Sequence, residues 1–158
     1  MSITEDVVVE TPTDRSIRTE RVFDAPVERV WDAYSRLEQL VQWWGRGHRL
    51  DVERWEFRVG GHWRLIEHDG DESYGFEGRF REIAPREQIV QSFEWDGMPA
   101  HVTIDTTTFV DLGDGRTKVV TDSLFHTTEE RDGMLEAGMA QGIAEGYAIL
   151  EGLLARSA

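Results

Sequence analysis

The chain has 158 residues, the length of one ordinary domain, and it can bury a core without a metal or a disulfide. It contains no cysteine, which excludes thiol catalysis and thiolate metal sites. Its 17 basic and 31 acidic residues give a net charge of −14, and such a field repels nucleic acids and anionic membranes. No apolar run reaches about 18 residues and no leader pattern begins the chain, so we expect a cytoplasmic protein.

The N-terminal third predicts an arm, a strand and two helices. Residues 1–14 lack periodicity and predict a flexible arm before a single domain over residues 15–157. A first strand is predicted over residues 16–24, with Ile17, Val22 and Phe23 as its apolar members. Pro26 then indicates a helix start, because its ring pre-sets φ. Helical spacing predicts two short tandem helices with the apolar residues Val27, Val30, Trp31 and Tyr34, then Leu37, Leu40, Val41 and Trp44.

The middle of the chain predicts a β-sheet. Between residues 50 and 125 the apolar period falls to about two, and short Gly-, Asp- and Pro-containing turns recur. Connections this short cannot carry parallel crossovers, so we predict an antiparallel meander of about six strands after the two short helices. The segments concerned are residues 62–68, 74–83, 88–95, 100–110 and 117–125.

The C-terminal region predicts one long amphipathic helix over residues 128–156. A threonine N-cap candidate opens it, with glutamate in the first turn. A sheet with segregated helices is an α+β fold, in which the long helix must cover one face of the sheet. The apolar stripe of this helix consists of Leu135, Met139, Ile143, Tyr147, Leu150 and Leu154.

Five segments of the sequence resemble one known family. They are RVFDAPVERVW (21–31), LVQWWG (40–45), RVGGHW (58–63), FEGRFREIAP (76–85) and EAGMAQGIAEGY (136–147). Their order and spacing resemble the START-like (SRPBCC) superfamily, and within it the bacterial domains related to the activator of the 90-kDa heat-shock-protein ATPase. The resemblance implies a helix-grip fold, in which a curved antiparallel sheet wraps the long C-terminal helix and encloses a cavity. Because the superfamily includes lipid carriers, hormone receptors, cyclases and co-chaperone domains, it implies no single activity.

Strand parity and helical spacing select candidate ligand-binding residues between the sheet and the long helix. The same pattern is typical of a filled core, so a core alone and a core with a ligand-accessible void both remain open. Trp44 fits the helical core stripe, whereas Trp43 does not and is expected at the cavity mouth as a gate or a partner anchor. The candidates are Trp43, Trp63, Leu65, Phe76, Phe80, Phe93, Trp95, Met139, Ile143 and Tyr147.

Catalytic and metal-binding patterns are weak. The five histidines lack the spacing of a zinc site, and we predict no metal, no cofactor and no catalytic residue. Glu67 shares strand parity with Trp63 and Leu65, which makes it the one carboxylate that aromatic side chains could bury. We expect it instead beyond the sheet edge, near the turn at Asp69.

The predicted function is binding of a small hydrophobic or aromatic ligand in the cavity. One alternative is a cyclase or hydrolase acting on a hydrophobic substrate, with Glu67, His48 or His101 as its acid–base group. The other is an interaction domain with a chaperone partner, as the resemblance implies. A homodimer is compatible with the aromatic content. Glycines 138, 142 and 146 form a stripe that indicates either close packing or clearance beside a ligand, and packing is favoured.

Overall fold

The computed structural model describes residues 7–156, which form an eight-stranded antiparallel sheet and four α-helices. The strands are β1 (Val8–Glu10), β2 (Ser16–Phe23), β3 (Arg49–Trp55), β4 (His62–Asp69), β5 (Glu72–Ala84), β6 (Gln88–Trp95), β7 (Val102–Asp111) and β8 (Thr117–Leu124). The helices are α1 (Val27–Ser35), α2 (Leu37–Leu40), α3 (Thr128–Glu136) and α4 (Met139–Arg156), and a 3₁₀ turn spans Trp44–Gly47.

The strand order is β1-β2-β8-β7-β6-β5-β4-β3, and every neighbouring pair is antiparallel. Strands β3 to β8 therefore form a meander, as the short turns predict, and β2 joins it beside β8. The predicted α+β helix-grip architecture, with a curved sheet beside a C-terminal helix, is confirmed.

Both edge strands lie outside the predicted segments. Val8–Glu10 falls in the predicted flexible arm but pairs with Arg18–Glu20 of β2, and Val7 before it is buried. The prediction of a flexible arm is thus wrong for these residues, while residues 1–6 lie outside the described part of the chain. Arg49–Trp55 is mostly exposed, so it lacks the apolar alternation that would have predicted a strand.

The inward face of β2 is more polar than predicted. Ile17, Thr19, Arg21 and Phe23 are buried, whereas Val22 is on the opposite face and exposed. Successive side chains of a strand point to opposite faces, so Val22 and Phe23 cannot both enter the core. Of the three apolar residues named for this strand, Ile17 and Phe23 are therefore in the core and Val22 is not.

The predicted long C-terminal helix is broken into two. A capping box of Thr127 and Glu130 opens α3, and Gly138 stands between α3 and α4 with a φ of +87°. A left-handed residue at this point ends a helix, and glycine adopts that conformation without a steric cost. The apolar periodicity continues across the break, which is why spacing alone predicted one helix.

Helix α4 divides the interior into two parts. Its C-terminal half carries the buried residues Leu150, Leu153 and Leu154, and aromatic rings from the sheet and α1 fill the space near it. Phe109 of β7 packs edge-on against Trp31, with ring centroids 5.3 Å apart. The N-terminal half instead covers a cavity. No helix within residues 7–156 is both long and apolar enough to span a lipid bilayer.

Candidate functional site

A cavity of about 360 Å³ lies between the sheet and the N-terminal half of α4. Its volume falls at the lower end of the roughly 300–1,000 Å³ range of small-molecule sites. Aromatic and aliphatic side chains form most of its walls. The void predicted as one of two alternatives is therefore present, and the core on this side of α4 is not filled.

Nine of the ten predicted ligand-binding residues line this cavity. They are Trp43, Trp63, Leu65, Phe76, Phe80, Phe93, Met139, Ile143 and Tyr147. Trp95 does not line it, because it lies beside a smaller neighbouring pocket with Met98, His101 and Met134. Phe93 borders both spaces and separates Trp95 from the larger one.

Four aromatic rings form one continuous wall of the cavity. The Trp44 ring lies edge-on to Phe76, with centroids 5.3 Å apart, and to Trp63, at 6.3 Å. Phe93 completes the wall, with its centroid 5.5 Å from that of Phe76 and 6.1 Å from that of Trp63. Strand parity brings Trp63, Phe76 and Phe93 to one face, and the 3₁₀ turn adds Trp44 beside them.

The expected roles of the two adjacent tryptophans are reversed. Trp43 is only 5% exposed, and its indole Nε1 donates a hydrogen bond to the backbone oxygen of Ala33 at 2.9 Å. Trp44 is the partly exposed member of the pair. The helical pattern failed because the second helix ends at Leu40, before either tryptophan. Trp43 is therefore a core residue that also lines the cavity, and it offers no surface anchor for a protein partner.

Glu67 is buried at one side of the cavity and does not lie beyond the sheet edge, so that expectation is wrong. Its side chain is 5% exposed, and Oε2 accepts hydrogen bonds from Nε and Nη2 of Arg46 at 3.1 and 2.5 Å. Nδ1 of His48 lies 2.6 Å from the same oxygen. Arg46 also lies 3.6 Å from a carboxylate oxygen of Asp69. These four residues are called the mouth cluster below, since Arg46 lines the cavity and is 34% exposed.

The mouth cluster holds the backbone of the 3₁₀ turn in an uncommon conformation. Gly45, Arg46 and Gly47 have φ values of +69°, +60° and +76°. A non-glycine residue in this region costs about 1–2 kcal/mol, so Arg46 needs a compensating interaction. The hydrogen bonds from its guanidinium group to Glu67 supply one, and they also raise the pKa of Arg46.

Each predicted acid–base candidate is engaged by another side chain. Glu67 and His48 contact each other in the mouth cluster. His101 lies outside the cavity and hydrogen-bonds to Glu130, and this contact is the main cause of the lowered pKa of Glu130. Glu130 is also the acidic member of the capping box of α3. Each of the three candidates therefore has a side-chain partner within the fold.

A polar surface on strands β2, β6, β7 and β8 faces the cavity opposite the helix, and the sequence analysis missed it. It is called the polar floor below and forms two rows across the sheet. In one row, Asp105 is the register partner of Gln91 and of Ser123. The other row consists of Thr19, Thr121 and Thr107. The hydroxyl oxygens of Thr121 and Thr107 are 3.3 Å apart. All six residues line the cavity.

Asp105 is the chemically unusual member of the polar floor. Its side chain is partly buried in the sheet and lines the cavity. Burial raises the pKa of its carboxyl from 3.8 to about 6, and hydrogen bonding by Ser123 opposes that rise. Strand parity could have identified Asp105 as an inward-facing residue, because it shares one face of the strand with Thr103, Thr107 and buried Phe109. The threonines and the aspartate themselves obscured the apolar period that indicates an inward face.

Two tyrosines meet at the end of the cavity near α1. The Tyr34 hydroxyl donates a hydrogen bond to that of Tyr147 at 3.3 Å. Burial raises the pKa of both phenols above the ordinary value of 10, for Tyr34 well above it. Both side chains are therefore neutral at physiological pH and act only as hydrogen-bonding groups.

The glycine stripe has two explanations. Gly138 ends α3, as described above. A Cβ at Gly146 would lie 3.4 Å from the backbone oxygen of Trp43, whereas one at Gly142 would meet only Arg46 Cδ, at 3.9 Å. Gly146 thus lies close to the backbone at Trp43, although 3.4 Å is only the near limit of an ordinary contact. Gly142 faces the cavity with room to spare.

Comparisons with known proteins support this architecture. The family described as "Activator of Hsp90 ATPase homolog 1-like protein" matches residues 24–155. Two similar solved structures have TM-scores of 0.85. A Rhodobacter sphaeroides protein is 23% identical and covers 95% of this chain and 98% of its own. An Arthrobacter aurescens protein is 25% identical and covers 96% of this chain and 92% of its own.

A more distant structure is DynU16, a protein of the dynemicin biosynthetic locus. It is 20% identical, with a TM-score of 0.67, and the match covers 89% of this chain and 48% of that one. No curated protein matches the sequence. The structural likenesses establish the fold, and the polar floor and the mouth cluster describe what this chain places within it.

Proposed function

Because the chain belongs to the family of Activator of Hsp90 ATPase homolog 1-like proteins, whose helix-grip fold commonly binds hydrophobic ligands, we propose that it binds a small, largely apolar ligand. The ligand would lie between the aromatic wall and α4. The observation that carries this proposal is the cavity of about 360 Å³, which aromatic and aliphatic side chains enclose on most sides. Transfer of an apolar molecule from water into such a space lowers its free energy and is therefore favourable.

The position of the cavity within the core also supports binding. Phe80, Leu65 and Trp63 are at most 2% exposed, so the sheet side of the wall is well packed and held in shape. Packed rotamers lower the conformational entropy that a ligand must overcome on binding. The α4 side is less constrained, because Gly142 presents no side chain to the cavity and Ile143 and Met139 are only partly buried.

Substitutions at Gly142 test the proposal. Propylbenzene serves as a neutral probe, and its binding to the full chain is followed by tryptophan fluorescence and by native mass spectrometry. We expect Gly142→Leu to weaken binding at least about tenfold, because the added side chain occupies the cavity. Gly142→Ala is the matched control and should bind the probe as the natural chain does, because its Cβ makes only an ordinary contact.

Both variants remove a helical glycine and should fold at least as well as the natural chain. Equal binding by the alanine and leucine variants would contradict the proposal, since the probe would then lie elsewhere. An adduct of a few hundred daltons on the purified protein, lost on denaturation, would support it independently.

A further inference from the structure

Asp105 lies within the cavity without a counter-ion. Its carboxylate faces the cavity from the middle of β7, and among residues 7–156 it has no ion-pair partner. An unpaired carboxylate away from bulk water is costly, and proteins usually pair such a group or replace it. Within residues 7–156 Asp105 has a hydrogen bond with Ser123 but no counter-ion, so the missing positive charge is sought in the ligand.

The other ionisable groups that line the cavity do not supply the missing charge. Tyr34 on α1 and Tyr147 on α4 are neutral phenols. Arg46 of the 3₁₀ turn is 2.5 Å from Glu67 of β4, so these two charges offset one another. An ionised Asp105 therefore leaves the cavity with one net negative charge, within a protein whose own net charge is −14. The negative charge of the cavity and the negative net charge of the protein both favour a cationic ligand over a neutral or anionic one.

The row that contains Asp105 has a geometry suited to an ammonium group. Gln91 and Ser123 are its register partners on the two neighbouring strands, and directly opposed residues have Cβ atoms about 4.5–5.5 Å apart. The row thus places a carboxylate between an amide and a hydroxyl, each with an oxygen that accepts hydrogen bonds. A primary ammonium has three N–H donors, one for each of these acceptors.

The aromatic wall suits the same ligand. Rings of Trp44, Trp63, Phe76 and Phe93 border the cavity, and aromatic faces attract cations as well as apolar groups. A ligand with an apolar body and one ammonium group would place the body against the wall and the charge on the polar floor.

We propose that the ligand of the cavity is a small primary amine with an aromatic or alkyl body, whose ammonium group forms an ion pair with Asp105 and hydrogen bonds with Gln91 and Ser123. This inference rests on the proposed function and names the ligand class of the same site. It concerns the polar floor, whereas binding of the apolar body concerns the aromatic wall.

Three probes of one shape separate the two claims. Phenethylammonium, phenethyl alcohol and propylbenzene share the ring and chain and differ in the terminal group. At pH 7.5 we expect phenethylammonium to bind at least about tenfold more tightly than phenethyl alcohol, measured by calorimetry on the full chain. Asp105→Asn should remove that preference while still binding the alcohol and propylbenzene. Asp111→Asn, at the exposed end of the same strand, makes the same change in net charge and should keep the preference.

The pH dependence gives a second readout. Between pH 7 and pH 5 the affinity for phenethylammonium should fall about tenfold, because Asp105 titrates near pH 6 in the empty cavity. His48, which contacts the cavity-lining Glu67, and His101, beside the neighbouring pocket, serve as controls for this readout. His48→Gln and His101→Gln should therefore retain the pH dependence, and Asp105→Asn should lose it.

The outcomes are distinguishable. If all three probes bind equally, or Asp105→Asn keeps the preference for the ammonium, this inference is overturned and the proposed function stands. If none of the probes binds at millimolar concentration, the proposed function fails and the inference fails with it.

Discussion

Two carboxyl groups line the cavity, and they have opposite surroundings. At the mouth, Glu67 accepts hydrogen bonds from Arg46 and contacts His48. On the polar floor, Asp105 has only the neutral neighbours Gln91 and Ser123 in its row. The carboxylate of Glu67 is thus matched by cationic and hydrogen-bonding groups, whereas that of Asp105 is not.

This difference separates a structural carboxyl from a functional candidate. Glu67 holds the strained backbone of the 3₁₀ turn through Arg46, so its burial contributes to the fold. Asp105 contributes no such contact, and its ionised form destabilises the folded state. A residue that breaks a rule of folding without local compensation indicates a site where function outweighs stability.

The largest expected effect is a stabilisation on replacing Asp105. Its pKa is raised in the folded chain, so its contribution to stability is greatest below pH 3.8 and is lost as the pH rises through about 6. At about 1.4 kcal/mol per pH unit, the loss by pH 7.5 is about 3 kcal/mol. We expect Asp105→Asn to be more stable than the natural chain by up to that amount at pH 7.5.

Urea unfolding at pH 7.5 and at pH 4 measures this difference. The gain should decline between pH 6 and pH 4 and be nearly absent at the lower end. A variant that is no more stable at pH 7.5 would show that the carboxylate of Asp105 is paired or hydrated after all.

Replacing Arg46 in the mouth cluster should destabilise the protein, whereas replacing Asp105 should stabilise it. Arg46→Ala deprives the 5% exposed Glu67 of its principal partner and should destabilise the protein by about 2 kcal/mol. The figure is below that for a fully buried pair, because Arg46 is 34% exposed and His48 remains beside Glu67.

Arg49→Ala is the control for this prediction. Arg49 pairs with Asp51 nearby, but both side chains are more than half exposed, at 69% and 53%. Its loss should therefore change the free energy of unfolding by less than about 0.5 kcal/mol. Equal effects of the two substitutions in thermal or urea unfolding would mean that the mouth cluster is an ordinary surface ion pair.

The smallest expected effects concern two glycines near the start of α4, beside the mouth. Gly138→Ala should destabilise the protein by about 1 kcal/mol, because alanine resists a φ of +87°. Gly142→Ala should stabilise it by about 1 kcal/mol through helix propensity, as its Cβ meets only Arg46 Cδ at 3.9 Å. Differential scanning calorimetry detects shifts of this size, and stabilisation by both substitutions would mean that α3 and α4 form one continuous helix.

Sequence reasoning was most successful where one face of a strand is apolar. Parity correctly grouped Trp63 with Leu65 and Phe76 with Phe80, and these residues line the cavity. Sequence reasoning was wrong at Glu67, which the same parity placed inward but which was expected beyond the sheet edge, near the turn at Asp69. Burial of an unpaired carboxylate is costly. The partners that remove this cost, Arg46 and His48, come from a turn whose conformation no periodicity indicates.

The polar floor was missed for a related reason. Its residues alternate inward along β7 and β8, yet threonine, serine and aspartate carry no hydropathy signal for burial. Burying them is tolerable only because they face a cavity and one another, and that surrounding exists only after the strands have paired.

The antiparallel meander and the helices on either side of it in the sequence follow from the sequence alone, because apolar periods and short turns act between residues close in the chain. The two edge strands and the break between α3 and α4 do not. Tertiary contacts decide that the carboxylate of Glu67 has a cationic partner and that the carboxylate of Asp105 has none among the described residues. The Arg46–Glu67 pair joins residues 21 positions apart, and the row on the polar floor joins three strands. Electrostatic energies depend on distance and burial in space, and a linear pattern of residue types records neither.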